Sequence, residues 1–110
     1  MPIYILRPHG GRLRVTLPIE REKWSFFELC ECIGANLPII YRLPAEFCLL
    51  ANIDDFRFWR PFNYQAARLM RFCLNSSAAI NGDAVLFHHD DLDWKPEKTP
   101  DMAGAPGGLG

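Results

Sequence analysis

Apolar and polar positions alternate near the start of the chain in a pattern typical of a β-hairpin. Residues 4–7 and 13–17 are two strand-like runs joined by Pro8-His9-Gly10-Gly11, whose glycines can adopt the positive φ that a hairpin turn requires. In the second run apolar residues alternate with polar ones, and successive side chains of a strand point to opposite faces. The alternation therefore predicts a sheet that is covered on one side.

A helix is predicted over residues 26–33. Ser25 and Glu28 have the spacing of a capping box, in which each side chain binds a backbone N–H group that the first helical turn leaves free. Gly34 can end the helix in the left-handed conformation. Four apolar residues fall on one stripe of this helix: Phe26, Leu29, Cys30 and Ile33. We expect that stripe to pack on the sheet.

A second hairpin and a second helix follow. Residues 37–43 and 47–53 are apolar runs separated by Pro44-Ala45-Glu46, which fits two strands and a turn. Asn63 is placed to cap a helix over residues 64–74. Small and apolar residues lie on one side of that helix and arginines on the other, so the pattern predicts an amphipathic helix with a basic outer face.

Together these elements indicate a small α+β domain. A last short strand over residues 84–87 follows the turn Asn81-Gly82-Asp83. We predict a mostly antiparallel sheet of about five strands with two helices packed on one face. Residues 92–110 become acidic and then rich in glycine and proline, and beyond Trp94 the chain has almost no apolar content. The predicted domain therefore spans residues 1–91, and residues 92–110 form a flexible tail.

Composition narrows the functional classes. A chain of 110 residues that is 49% apolar fits one folded domain. The net charge of −1 leaves no overall field that attracts nucleic acid or a membrane surface, although the body is mildly basic and the tail acidic. Two of the four cysteines are a pair two apart on a helix and two lie in apolar runs, which favours core thiols over disulfides. Without a leader pattern or a bilayer-length apolar run, the protein is predicted to be cytoplasmic and to have no membrane partner.

The order of the elements resembles a family of short phage- and plasmid-borne proteins classed as a domain of unknown function, over about residues 3–91. The resemblance is carried by the end of the first helix, the start of the second and the closing turn and strand: Leu29 to Gly34, Asn63, Ala66, Leu69, Ile80, Gly82, Asp83 and Leu86. The chain departs from the family at Ala35, where a second glycine is usual, and in a longer, more aromatic segment over residues 56–62. The resemblance implies a mobile-element setting, in which small proteins often antagonise host defence.

Residues 56–64 interleave two arginines with five aromatic rings, and the next helix adds two further arginines. Guanidinium groups bind phosphate or carboxylate in a bidentate manner, and aromatic faces stack on bases. The same residue types are enriched at the centres of protein interfaces. The alternative is that the aromatic residues fill the core while the arginines are solvated. The predicted partner- or ligand-binding residues are Arg57, Trp59, Arg60, Asn63, Arg68 and Arg71.

No catalytic, cofactor or metal site is predicted. His88-His89-Asp90-Asp91 has metal-ligand residue types, but neighbouring strand residues point to opposite faces and cannot easily share one ion. Cys30 and Cys32 lack the two-residue spacer of the usual redox or zinc pair. No serine lies in a nucleophile elbow or a recognisable triad context. The sequence therefore favours a protein that acts by binding over an enzyme.

The leading functional hypothesis is a non-enzymatic phage or mobile-element protein that binds and inhibits a host protein or protein complex. An anti-CRISPR or other anti-defence role is its most concrete form. The alternative is a sponge or sensor that binds a nucleotide or a nucleic-acid fragment through the same arginine and aromatic residues. The oligomeric state and the identity of the partner stay open at this point.

Overall fold

Five strands and two helices make up the part of the chain that the computed structural model describes, which is residues 2–17, 21–53, 59–76 and 79–94. In chain order they are β1 (Ile3–Leu6), β2 (Arg12–Val15), α1 (Phe26–Ile33), β3 (Pro38–Arg42), β4 (Phe47–Asn52), α2 (Tyr64–Leu74) and β5 (Ala84–His88). The predicted α+β class and both predicted helices are confirmed. Neither of these helices is long and apolar enough to cross a bilayer.

All five strands form one antiparallel sheet in the order β2-β1-β5-β4-β3. Both predicted hairpins are confirmed, and β5 lies between them at the centre of the sheet. In the first hairpin the Arg7 amide donates to the Gly11 carbonyl at 2.8 Å, and Gly10 has a φ of 98°. The last strand of the chain therefore joins the two hairpins into one sheet.

The helices pack on opposite faces of the sheet, so the prediction that both lie on one face is wrong. Cys48 and Leu50 of β4 pack in a cluster with Leu29 of α1, whereas Leu49 and Ala51 pack in a second cluster with Met70 of α2. Successive residues of a strand face opposite sides, so a run of consecutive apolar residues requires cover on both sides. Strand β4 is such a run, and its residues 48–52 are all buried.

The prediction of a sheet covered on one side rested on the alternation in β2. This strand lies at the edge of the described sheet, next to β1. Arg12 and Arg14 lie opposite Leu6 and Tyr4, which belong to or pack against the α2 cluster. Both arginines are nevertheless exposed, as expected if α2 does not extend over the edge of the sheet. The alternation in β2 therefore reflects the position of this strand at the uncovered edge, and it does not indicate how the rest of the sheet is packed.

The folded body extends past the predicted boundary at residue 91. Leu92 is 1% exposed and belongs to the cluster under α1. Its neighbour Asp93 donates its amide to the Trp24 carbonyl at 2.8 Å, and the Trp24 amide donates to the Asp91 carbonyl at 2.7 Å. Trp94 donates its indole N–H to the His89 carbonyl at 2.7 Å. Residues 92–94 are therefore part of the domain, and the rest of the predicted tail lies outside the described residues.

The capping box predicted for α1 is confirmed and gains an ion pair. Glu28 donates its amide to Ser25 Oγ at 3.1 Å, and the Ser25 amide donates to Glu28 Oε1 at 2.9 Å. Two guanidinium nitrogens of Arg21 donate to the Glu28 carboxylate, at 2.6 Å and 2.5 Å. These bonds, those from Arg21 above all, lower the pKa of Glu28 from 4.5 to about 2.

This lowered pKa makes the stability of the protein depend on pH. Since the folded state binds the Glu28 proton less tightly than the unfolded state, the stabilisation is complete above about pH 4.5 and is lost as the pH falls towards 2. We expect Glu28→Gln to lower the free energy of unfolding by about 1 kcal/mol at pH 7, because the pair is partly solvated, and by much less at pH 3. Urea unfolding at the two pH values measures this difference.

Glu31→Gln is the matched control on the same helix. Its exposed carboxylate takes no part in the cap, so the change should stay within about 0.5 kcal/mol of the parent at pH 7. An equal loss at pH 7 and pH 3 for Glu28→Gln would show that the ion pair contributes nothing.

Candidate functional site

Several large aromatic side chains on and before α2 are mostly exposed. Tyr64 makes an edge-to-face contact with Phe62, with ring centres 4.7 Å apart. Trp59 is 90% exposed, Tyr64 70% and Phe72 89%. Arg60 follows Trp59 in the chain, Arg68 and Arg71 lie on α2, and all three arginines are exposed. We call the set the aromatic–arginine surface, and its members are Trp59, Arg60, Tyr64, Arg68, Arg71 and Phe72.

The helix geometry explains why four members of this surface lie together. Tyr64, Arg68 and Phe72 are spaced by four residues, and Arg71 is three residues from Arg68. With about 3.6 residues per turn, these positions span an arc of roughly 100°. The opposite side of α2 carries Met70, which is buried. The arginine-bearing outer face predicted for this helix is therefore confirmed.

Asn63 does not belong to the exposed surface, although the sequence placed it among the binding residues. It is fully buried, and its Oδ1 accepts the Ala66 amide at 3.0 Å as the predicted N-cap of α2. Its Nδ2 donates to the Leu6 carbonyl at 2.9 Å and to the Gly82 carbonyl at 2.8 Å. These bonds tie α2 to β1 and to the turn before β5, so Asn63 positions the surface without facing a partner.

The remaining predicted residues fall in different places. Arg57 lies outside the described residues. Arg60 borders a cavity of about 360 Å3 that Arg7 and His9 also line, whereas Arg68 borders a different one. Arg71 lines neither of these two cavities. Arg60 and Arg68 therefore border different cavities, whereas Arg68 and Arg71 share the outer face of α2.

A groove of about 570 Å3 lies between α2 and the uncovered edge of the sheet. We call it the α2 groove. Its floor is formed by side chains of β1 and β5, namely Tyr4, Leu6 and Leu86. Arg12 borders it from β2, and Arg68 and Phe72 border it from the helix. The groove exists because α2 covers the centre of the sheet and leaves the β2 side open.

Gln65 fixes the distance between α2 and the first hairpin. Its side-chain amide donates to the Arg7 carbonyl at 3.2 Å and to the Gly11 carbonyl at 2.9 Å. Both carbonyls belong to the turn that leads into β2, which carries Arg12. The two arginines that border the α2 groove are therefore held on elements that are tied to each other.

A second cluster joins Glu46 to His88 and Asp90, with one ligand-type atom of each within 4.8 Å of the others. The Asp90 amide donates to His88 Nδ1 at 3.2 Å. An Nδ1 that accepts this hydrogen bond does not offer its lone pair to an ion. This geometry gives His88 the role of a cap for the turn that follows β5.

Cys30, Cys32 and Cys48 are poorly suited to nucleophilic chemistry. Cys30 and Cys48 are buried, and burial raises the pKa of both thiols. Burial and the neighbouring Glu28 and Glu31 raise the pKa of Cys32 as well. The thiolate is the nucleophilic form of cysteine, so a raised pKa lowers the reactivity of these three residues.

Several residues of these surfaces were not among the predicted binding residues, notably Tyr4, Arg12, Tyr64 and Phe72. Phe72 could have been found, because it follows Arg68 by four residues on a helix that was predicted correctly. Tyr4 and Arg12 could not, since their proximity to α2 depends on the order of the strands.

No protein-family model, curated protein or solved structure matches this chain. Its function must therefore be inferred from its own residues and their arrangement.

Proposed function

We propose that this chain is a non-enzymatic protein of a phage or another mobile element that binds and inhibits a host protein inside a bacterial cell. An anti-CRISPR or other anti-defence activity is the most concrete form of the proposal. The observation that carries it is the exposure of Tyr64 and Phe72 beside Arg68 and Arg71 on the outer face of α2, with the equally exposed Trp59 five residues before that helix. Tryptophan, tyrosine and arginine dominate the binding energy of protein interfaces, and large apolar groups left exposed together mark such sites.

The backbone of Trp59 supports the same proposal. Its φ of 57° lies in the left-handed region, which costs a residue with a side chain about 1 kcal/mol or more. Its ring is 90% exposed and gains little from packing within the described chain. A strained backbone and an unburied ring do not stabilise the fold, so a role in contact with a partner explains this residue better. The mobile-element setting is supported by the order of motifs alone.

Capture of a host protein tests the proposal. Full-length tagged protein is incubated with a bacterial host lysate, and the affinity for any captured protein is then measured with purified components. Trp59→Ala and Arg71→Glu should each weaken binding about thirtyfold or more, because truncating an interface hot spot costs 2 kcal/mol or more. Both residues are exposed, so the melting temperature should change little.

Matched controls lie near α1, on the other face of the sheet. Phe27→Ala removes another exposed aromatic ring, one that is 65% exposed, and Lys23→Glu makes the same charge reversal as Arg71→Glu. Both controls should bind normally. Equal binding by all four variants would show that the aromatic–arginine surface does not contact the partner.

The anti-CRISPR form is tested in cells. Expression of the chain in a host with active CRISPR interference should raise the transformation efficiency of a targeted plasmid, and Trp59→Ala should remove the effect while Phe27→Ala keeps it. Unchanged interference in hosts of every CRISPR type would leave capture of another defence factor as the form to pursue.

A further inference from the structure

The α2 groove combines an apolar floor with two cationic groups on its border. Arg12 comes from β2 and Arg68 from α2, so residues 56 positions apart in the chain meet at one cavity. Neither guanidinium forms an ion pair with a carboxylate of the described residues. Two positive charges that have no carboxylate partner among the described residues, above an apolar surface, favour a ligand that is anionic at one end and apolar at the other.

The volume and the aromatic lining of the groove indicate which class of anionic, partly apolar ligand it fits. Its volume of about 570 Å3 lies in the range of about 300–1,000 Å3 that small-molecule sites occupy. Tyr4 and Phe72 border it, and the ring of Phe72 is 89% exposed and therefore free to stack. Aromatic side chains stack on nucleobases, and pairs of guanidinium groups match the charge of a phosphate monoester.

We propose that the α2 groove binds a nucleoside monophosphate, with the phosphate between Arg12 and Arg68 and the base on Phe72 and the apolar floor. A single acidic side chain of a partner protein would neutralise one arginine and leave most of the floor uncovered. A mononucleotide has a phosphate that can pair with both arginines and a base that can cover the apolar floor. This site goes beyond the proposed inhibition of a host protein. It shares Arg68 and Phe72 with the aromatic–arginine surface, but Arg12 and Tyr4 lie outside that surface, so variants of Arg12 test the two proposals separately.

Calorimetric titration of the full-length chain tests this site. The probes are adenosine, cytidine, guanosine and uridine 5′-monophosphates, the four nucleosides and inorganic phosphate. At least one monophosphate should bind with a Kd below about 1 mM, and the matching nucleoside and free phosphate should each bind at least about tenfold more weakly. Absence of binding by all four monophosphates, or phosphate binding as tightly as a nucleotide, would overturn the proposal.

Charge-neutralising variants then assign the binding to the groove. Arg12→Gln and Arg68→Gln should each weaken nucleotide binding by about tenfold or more, with circular dichroism and the melting temperature nearly unchanged. Arg71→Gln is the matched control, because it removes an exposed arginine of the same helix that does not border the groove. Equal binding by all three variants would place the nucleotide elsewhere and refute this assignment. If Arg12→Gln loses nucleotide binding but still captures the host protein, nucleotide binding and host-protein binding are independent of each other.

Discussion

Asn63→Asp is expected to lower the free energy of unfolding by about 3 kcal/mol or more at pH 7. The substitution keeps the shape of the side chain and the oxygen that caps α2, but it removes the two N–H groups that donate to the Leu6 and Gly82 carbonyls. The new carboxylate would be buried against both carbonyls, with no donor for its second oxygen. Since domains of this size are stable by only about 5–15 kcal/mol, urea unfolding will detect the loss clearly.

The pH dependence separates this mechanism from a general loss of packing. Burial against carbonyl oxygens raises the pKa of the new carboxyl in the folded state, so the protonated form fits better and can donate one hydrogen bond. A raised folded pKa makes the loss smallest below the unfolded value of about 4 and larger as the pH rises through the folded value. Asn63→Ser, which caps well but introduces no charge, should cost less and show no such change. An unfolding midpoint equal to the parent for Asn63→Asp would refute the buried hydrogen-bond network.

Truncation after Asp91 is expected to destabilise the protein by about 3–5 kcal/mol, although the sequence placed residues 92–110 in a flexible tail. The truncated chain loses the Leu92 side chain from the cluster under α1 and the hydrogen bond that the Asp93 amide donates to the Trp24 carbonyl. It also loses the Trp94 ring, which stacks on His89 with ring centres 4.8 Å apart and lies 5.2 Å from the Arg42 guanidinium.

A chain that ends at Trp94 is the matched control. It keeps all of these contacts and should unfold at nearly the same temperature as the full chain, because residues 95–110 contain little apolar surface to bury. Leu92→Ala in the full chain isolates the packing contribution and should account for about 2 kcal/mol or more of the loss. If the chain that ends at Asp91 has the same melting temperature as the full chain, Leu92 does not belong to the core.

The candidate surface was only partly predictable. The exposure of Arg68 and Arg71 followed from the helical period, since the apolar stripe of α2 had to face the sheet. The role of Asn63 in tying α2 to β1 and to the turn before β5 could not be predicted. A capping asparagine uses only its side-chain oxygen locally, whereas its side-chain N–H groups donate here to carbonyls that are distant in the chain. The α2 groove could not be predicted at all, since Arg12 reaches it only through the pairing of β2 with β1.

The sequence by itself determined the local elements, because their signals act over a few residues. The capping box at Ser25, the cap at Asn63 and the turns of both hairpins each satisfy backbone groups within their own segment. The tertiary structure alone decided that β5 enters the centre of the sheet, that α1 and α2 cover opposite faces, and that Leu92 joins the core. These depend on how apolar surfaces distant in the chain cover each other, and a periodic pattern shows that a face must be buried without showing which element buries it.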